Sequence, residues 1–290
     1  MYNLEISIDF ILLLVYNGIG WQKRLYTILK LYNLEISIDF YPVLLYYYIV
    51  LKRGHKILKV RNLRMAQLKK RMVIDTETVL YNPSKELYGT NSLIYDIGFV
   101  VVDKHGTIYE TGSYIVEEIF CNSELMRRAY FFNKIPNYIK DISSGKRNLE
   151  SWANIKDIIY NIIDRYNISE VWAFNANFDN GALLRTNKCI CDEWEFFPSG
   201  ISINCILRFA ECNIIKQKSY IKFCERNNLK TSTGKLSKRA ESVYKYITDN
   251  ADFIEEHTAL EDSLIEAEIL NRCLRQHKKK KPSIVIGEVI

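Results

Sequence analysis

Three strand-like runs follow one another between Arg71 and Val116, and from Leu149 onward helix and strand patterns alternate. That order restricts the fold more than any other feature of the chain. Arg71–Thr76 is a short apolar run, Ile94–Val102 a second strand, and Thr107–Val116 a third with alternating character. Lys104-His105-Gly106 joins the last two as a hairpin-like connection. In Leu149–Tyr166 the apolar residues Trp152, Ile155, Ile158, Ile159, Ile162, Ile163 and Tyr166 fall on the 3, 4, 7 spacing of one buried helix face. Glu170–Phe174 reads as a fourth strand, Phe178–Arg185 as a short helix and Ile201–Ile206 as a fifth strand. Lys216–Asn227 and Lys235–Tyr246 read as helices. Thr258–Gln276 is the closing helix, with Thr258 and Glu261 in the positions of a capping box. Strands first and helices interleaved later specify an α/β architecture, a mixed sheet with helices packed on it.

The first 70 residues stand apart. Residues 2–10 recur without change at 32–40, and both copies alternate in the manner of a half-buried strand. The identity does not extend through the 30-residue offset, so it reads as a local duplication rather than a solenoid. This segment holds 11 Lys and Arg against 4 Asp and Glu, whereas the remainder holds 29 against 30. The formal charge of +6 therefore comes from the N-terminal quarter and does not mark the main body as a nucleic-acid binder. Residues 1–70 are expected to be an extension outside the working unit, with Met65 as a natural internal start. Residues 71–277 form the main domain. Residues 278–290, a basic run followed by an apolar end, are expected to be a frayed tail.

No run reaches the ~18 apolar residues of a membrane span. The two best, Phe10–Trp21 and Phe40–Leu51, are too short, and Met1–Asp9 lacks the basic start of a signal peptide. A membrane-associated protein is thus a minor alternative. Seven cysteines, an odd number in a chain of this size, read as thiols of a reducing cytoplasm. Cys189-x-Cys191 has one intervening residue, against the two to four usual in a structural zinc site.

Three short segments carry acid–base and metal chemistry. In Val73-Ile74-Asp75-Thr76-Glu77-Thr78, strand alternation puts Asp75 and Glu77 on one side. Two carboxylates so close repel unless a cation sits between them, and a hard divalent ion is the economical choice. By itself the pattern also fits a solvated strand. In Phe174-Asn175-Ala176-Asn177-Phe178-Asp179 a strand ends and Asp179 falls in the first turn of a helix, where the dipole favours a carboxylate. An ordinary helix-start Asp looks the same. In Glu256-His257-Thr258-Ala259-Leu260-Glu261-Asp262, five helical residues would turn by ~140° and separate His257 from Asp262. The capping box puts His257 in the loop before the helix and Asp262 one turn inside it, so the two can share a site.

Together, Asp75-x-Glu77, Asn175-x-x-x-Asp179 and His257-x-x-x-x-Asp262 resemble, in order and spacing, the three motifs of the DnaQ-like or DEDDh 3′→5′ exonucleases. That family includes the proofreading epsilon subunit of bacterial DNA polymerase III, ribonuclease T and oligoribonuclease. The resemblance runs from about Arg71 to His277 and fills all five catalytic positions. It implies an RNase H-like five-stranded mixed sheet with helices on both faces. It also implies two-metal hydrolysis of a terminal phosphodiester, releasing a 5′-mononucleotide. Asp75, Glu77, Asp179 and Asp262 would hold two Mg²⁺ or Mn²⁺ ions, and His257 would take the proton of the attacking water. DNA with a single-stranded 3′ end is the favoured substrate. An RNA-trimming ribonuclease of the same fold, or a silent nucleic-acid-binding module, is the alternative. A homodimer or a separate polymerase partner is compatible with the family.

By analogy with the family, substrate contacts are expected from the backbone of Thr76 and Thr78 and from Asn175, and the sequence itself adds the basic stretch 216–239. There Lys216, Lys218 and Lys222 would meet phosphates and Tyr220 would stack a base. The same stretch also reads as two helices with solvated faces.

Overall fold

The structure, a computed structural model, describes residues 68–81, 91–276 and 285–288. They belong to the second of two compact units, Leu68–Ile290. The duplicated segment, both apolar stretches of the N-terminal region and the run Lys278–Lys281 lie outside the described residues.

Among the described residues, seven strands form one sheet: β1 (Arg71–Leu80), β2 (Ser92–Val102), β3 (Ile108–Val116), β4 (Asn148–Glu150), β5 (Glu170–Ala173), β6 (Ser202–Cys205) and β7 (Val285–Glu288). Their order is β4-β3-β2-β1-β5-β6-β7. β1, β2 and β3 run antiparallel as a meander, while β5 lies parallel to β1 and β6 parallel to β5. The central five strands are the RNase H-like mixed sheet that the motifs imply. The two outer strands are additions. β4 takes Leu149 and Glu150, which periodicity had assigned to the following helix, because Ser151 Oγ accepts the Asn154 N–H at 3.3 Å and starts that helix at Trp152. β7 pairs antiparallel with β6, so part of residues 278–290 belongs to the sheet rather than to a frayed tail.

Among the described residues, seven helices of five residues or more pack around the sheet: α1 (Ile135–Ser143), α2 (Trp152–Tyr166), α3 (Ala176–Cys191), α4 (Ile206–Ala210), α5 (Lys218–Arg226), α6 (Ala240–Thr248) and α7 (Ala259–Arg275). A short π-helical stretch, Glu211–Ile215, follows α4. One core joins Met72, Ile74, Ile97 and Phe99 to Trp152 and Ile155 of α2 and to Ala182 and Leu183 of α3. The other joins Val73, Val100 and Val102 to Val243 of α6 and to Ile265, Ile269 and Leu270 of α7. Every residue of β2 is buried, as a strand covered on both faces requires.

Some boundaries moved for identifiable reasons. α3 is twice the expected length because its polar second half is buried and satisfied. Thr186 Oγ1 accepts the Ile94 N–H at 3.0 Å, and Asn187 Oδ1 accepts the indole N–H of Trp152 at 3.0 Å. Helix α1 has no counterpart in the sequence reading. It has Pro136 at its first turn and buries only Tyr138.

The alternation of β1 sorts its side chains between the two layers. Asp75 and Glu77 share the Val73 side, toward α7, and Thr76 shares the Ile74 side, toward α3. β2 contributes Asp96 and Gly98 to the α7 side by the same rule. Gly98 lets the helix come down on the strand. A Cβ there would lie 2.2 Å from the carbonyl carbon of Ala259 and from the amide nitrogen of Leu260.

Candidate active site

Strand β1 and the first turn of α7 meet where Asp75, Glu77 and Asp262 converge. One carboxylate oxygen from each lies within 4.8 Å of the others. Glu77 is 8% exposed and Asp262 7% exposed. A β-bulge between Glu77 and Thr78 interrupts the ladder with β2 at this point. Asp179 arrives from the other layer: its Oδ1 accepts the hydroxyl of Thr76 at 2.9 Å, one residue along the strand from both Asp75 and Glu77. Thr76 thus ties α3 to the strand that carries the first two carboxylates. Its side chain is committed to this bond and 6% exposed.

Burial raises all four acids, and their mutual repulsion adds to it for Asp75 and Glu77. Asp75 stands well above the ordinary carboxylate range, with Glu266, Asp179, Glu77 and Asp262 as its charged neighbours. Burial also pushes Glu77 to about 9, Asp262 to about 8 and Asp179 to about 7, the last held down in part by its hydrogen bond from Thr76. Asp262 Oδ1 is buried without a hydrogen-bond partner. Hard oxygen donors, shared negative charge and an orphaned buried carboxylate oxygen fit a divalent cation of the Mg²⁺ or Mn²⁺ class.

His257 stands in the loop before α7, as the spacing implies, with its side chain 41% exposed. Its φ of 51° is left-handed, a region in which histidine is enriched over most side chains. Nδ1 lies 3.9 Å from Asp262 Oδ2 and 3.5 Å from Glu255 Oε2. The ring stacks on Phe131 with centroids 4.8 Å apart and planes at 11°. Lys134 donates to the carbonyl oxygens of Glu256 and His257, the latter at 3.1 Å, and sits over the Phe131 ring. Burial, and then the Lys134 charge, lower the imidazole below its usual value.

The capping box takes another form. Thr258 is the N-cap of α7, but its hydroxyl donates to Glu261 Oε2 at 2.6 Å and accepts no backbone N–H. Asp96 supplies the cap instead, accepting the Ala259 N–H at 3.1 Å. Asp96 is fully buried, also accepts the Tyr138 hydroxyl at 2.7 Å, and faces Arg147 at 3.7 Å. Arg147 in turn donates to Ser113, Asp141 and Glu261. This network fixes the turn that carries both His257 and Asp262.

Other residues escaped the sequence reading. Glu266 is 4% exposed one turn beyond Asp262, and accepts the Phe174 N–H at 3.1 Å where β5 gives way to α3. The i, i+4 spacing from Asp262 was the signal for it. A pocket of about 410 Å³ beside the His257 loop is lined by Lys134, Asn137, Lys140, Lys146 and Arg147 among others. Those residues belong to or flank α1, the helix that the pattern did not reveal.

The expected substrate contacts divide. Asn175 is exposed at the start of α3, and Thr78 is half-buried just past the bulge in β1 that follows Glu77. Tyr220 is a correction. It is 0% exposed, its hydroxyl donates to the Ser237 carbonyl at 2.8 Å, and Tyr246 packs against its ring, so no face is open to a base. Lys216, Lys218 and Lys222 are exposed. Gln217 among them donates to Gln276, 14 residues past Asp262 and roughly 20 Å along the helix axis. These lysines therefore stand at the opposite end of α7 from the carboxylates. Among the described residues no helix is long and apolar enough to cross a membrane.

No family model matches the sequence, and no curated protein matches it. Among solved structures, the chain is similar to a full-length 3′-exonuclease (TM-score 0.46, 12% identity, 76% of this chain and 90% of that one). It is also similar to the nuclease domain of 3′hExo, a DEDDh family member bound to rAMP (0.44, 10%, 77% and 98%). A third is E. coli exonuclease I in complex with an oligonucleotide (0.44, 12%, 73% of this chain), of whose length the match spans 41%.

Proposed function

We propose that the protein is a metal-dependent 3′→5′ exonuclease of the DEDDh type, acting on single-stranded 3′ ends. The observation that carries this reading is the convergence of Asp75, Glu77 and Asp262 within 4.8 Å, with Asp179 held alongside by Thr76. A solvated strand or a casual helix-start Asp, the alternatives open to each motif alone, would leave these carboxylates in water and apart.

Asp75, Glu77 and Asp262 would hold one ion, and Asp75 with Asp179 a second. When bound, such a pair supplies charge stabilisation for the attacking and leaving oxygens of an in-line displacement. His257 is the general base. With its pKa held below ~6.5 it is neutral at pH 7 and can accept a proton. Nδ1 faces Glu255 and Asp262, which leaves Nε2 to take the proton of the attacking water. Phe131 and the carbonyl bonds from Lys134 orient the ring. Attack on the last phosphodiester then releases a 5′-mononucleotide. DNA is the first choice of substrate and RNA the second.

The test uses the full chain beside Asp75→Asn, each with 5′-labelled single-stranded DNA and RNA of one sequence, in Mg²⁺, Mn²⁺ or EDTA. Shortening from the 3′ end that is lost in EDTA and in the variant supports the reading, and the faster polymer identifies the substrate. Binding without shortening of either would overturn it in favour of a silent binding module.

A further inference from the structure

Asp262 belongs to two candidate metal clusters. One is the all-carboxylate group with Asp75 and Glu77. The other is Glu255, His257 and Asp262, whose ligand atoms also lie within 4.8 Å of one another. We propose that Glu255, His257 and Asp262 form a second, competing site for a Zn²⁺-class ion, which withdraws both His257 and Asp262 from catalysis.

The donor set carries the choice of ion. An imidazole nitrogen with two carboxylate oxygens suits zinc and its neighbours, whereas Mg²⁺ prefers oxygen alone and keeps its water. Three protein ligands with one position open to solvent is a familiar zinc arrangement. The spacing is right for it. His257 Nδ1 stands 3.5 Å from Glu255 Oε2 and 3.9 Å from Asp262 Oδ2, separations that one small ion can bridge. Glu255 and Asp262 are largely buried, with side chains 11% and 10% exposed, while His257 opens to solvent and gives the ion an entry. Phe131 and Lys134 already hold the ring at this position, so the ligands need little rearrangement. Lys134 donates to the carbonyl oxygens of Glu256 and His257.

Glu255 lies outside the three sequence motifs and His257 outside the carboxylate cluster, so their substitution tests this site apart from that cluster, with which it shares only Asp262. Zinc binding is measured on the full chain at pH 7 by competition with a chromogenic chelator, with Zn²⁺ as the only added metal. Glu255→Gln and His257→Gln should each weaken binding tenfold or more, and Asp75→Asn should leave it within about twofold. The opposite order, binding lost in Asp75→Asn and kept in Glu255→Gln, would overturn the proposal. So would the absence of Zn²⁺ binding by the wild-type protein. Cobalt(II) gives an answer that does not depend on the folding of Glu255→Gln. An imidazole resonance shifted by the bound ion in wild-type protein, and missing in His257→Gln, supports the site; wild-type protein without a shifted imidazole overturns it. The inhibitory consequence rests on the proposed nuclease activity. In Mg²⁺ assays, Zn²⁺ should inhibit the wild type at a concentration at least tenfold below that needed for Glu255→Gln. Failure of hydrolysis altogether would strike the nuclease reading and leave the binding comparison to decide the zinc site.

Discussion

The carboxylate of Asp96 accepts the backbone N–H of Ala259 at 3.1 Å, across 163 residues of chain. A central strand thereby caps the helix that delivers Asp262, and Arg147 ties the same carboxylate to Glu261 on that helix. Asp96→Ala removes the cap and leaves the Arg147 guanidinium, whose side chain is 2% exposed, short of a buried partner. The expected loss is about 3–5 kcal/mol in a urea melt. A loss under about 1 kcal/mol would mean that the network does not anchor α7.

Gly98 faces the same turn. Gly98→Ala places a methyl group 2.2 Å from helix backbone, which no side-chain rotation relieves. Destabilisation of about 3 kcal/mol or more is expected. In the folded fraction, Mn²⁺ affinity should fall as well, because α7 must back away from β1 and take Asp262 with it. Calorimetric titration with Mn²⁺ reads this directly, and unchanged affinity would contradict the close packing.

Stability in EDTA should decline as pH rises. Glu77, Asp262 and Asp179 have folded values near 9, 8 and 7, raised chiefly by burial from ordinary values of 4.5, 3.8 and 3.8. Between the unfolded and folded values the native state binds more protons than the unfolded state, so stability falls with increasing pH. The window runs from about pH 4 to 9. Melting temperatures at pH 6 and pH 9 in EDTA should differ by several degrees, and Mg²⁺ or Mn²⁺ should shrink the difference. A flat profile would show that the cluster is better solvated than its geometry indicates.

Asp75→Asn should separate stability from activity. An amide relieves the repulsion among the acids, so the variant in EDTA is expected to gain about 0.5–2 kcal/mol. Hydrolysis should fall by at least ~10³-fold, as for a lost transition-state interaction. A variant that is both active and destabilised would remove Asp75 from the metal site.

Phe131→Ala takes away the surface on which His257 rests. A base misplaced by about 1 Å costs up to ~10²-fold. The expectation is a fall in kcat of roughly 10- to 100-fold, a small change in KM and an altered acid limb of the pH–rate profile. Loss confined to KM would assign Phe131 to substrate contact instead.

Four of the five candidate positions were legible from short-range geometry, whereas Asp179, which joins them through Thr76 103 residues away, came from the motif resemblance. Alternation pairs Asp75 with Glu77, and a loop before α7 brings His257 to Asp262. The supporting residues were not legible. Asp96 and Arg147 meet through the folding of distant strands and a loop, and neither sits in a periodic pattern. Tyr220 misled because its sequence neighbours are basic, although the i, i+3 and i, i+4 partners Phe223 and Cys224 marked a buried face. Helix α1 was hidden because its exposed residues include Ile139, which blurs the apolar stripe. Polar burial shortened the reading of α3 for the converse reason.

Strand β7 covers one side of β6, a strand of four residues. A protein cut back to Gln276 would keep all five candidate catalytic side chains and lose this cover. The N–H and C=O groups of Ser202–Asn204 that now face β7 would become an open edge, a template for strand addition by another molecule. Strand β7 thus closes an edge of the sheet, and the shortened chain is expected to fail first by aggregation.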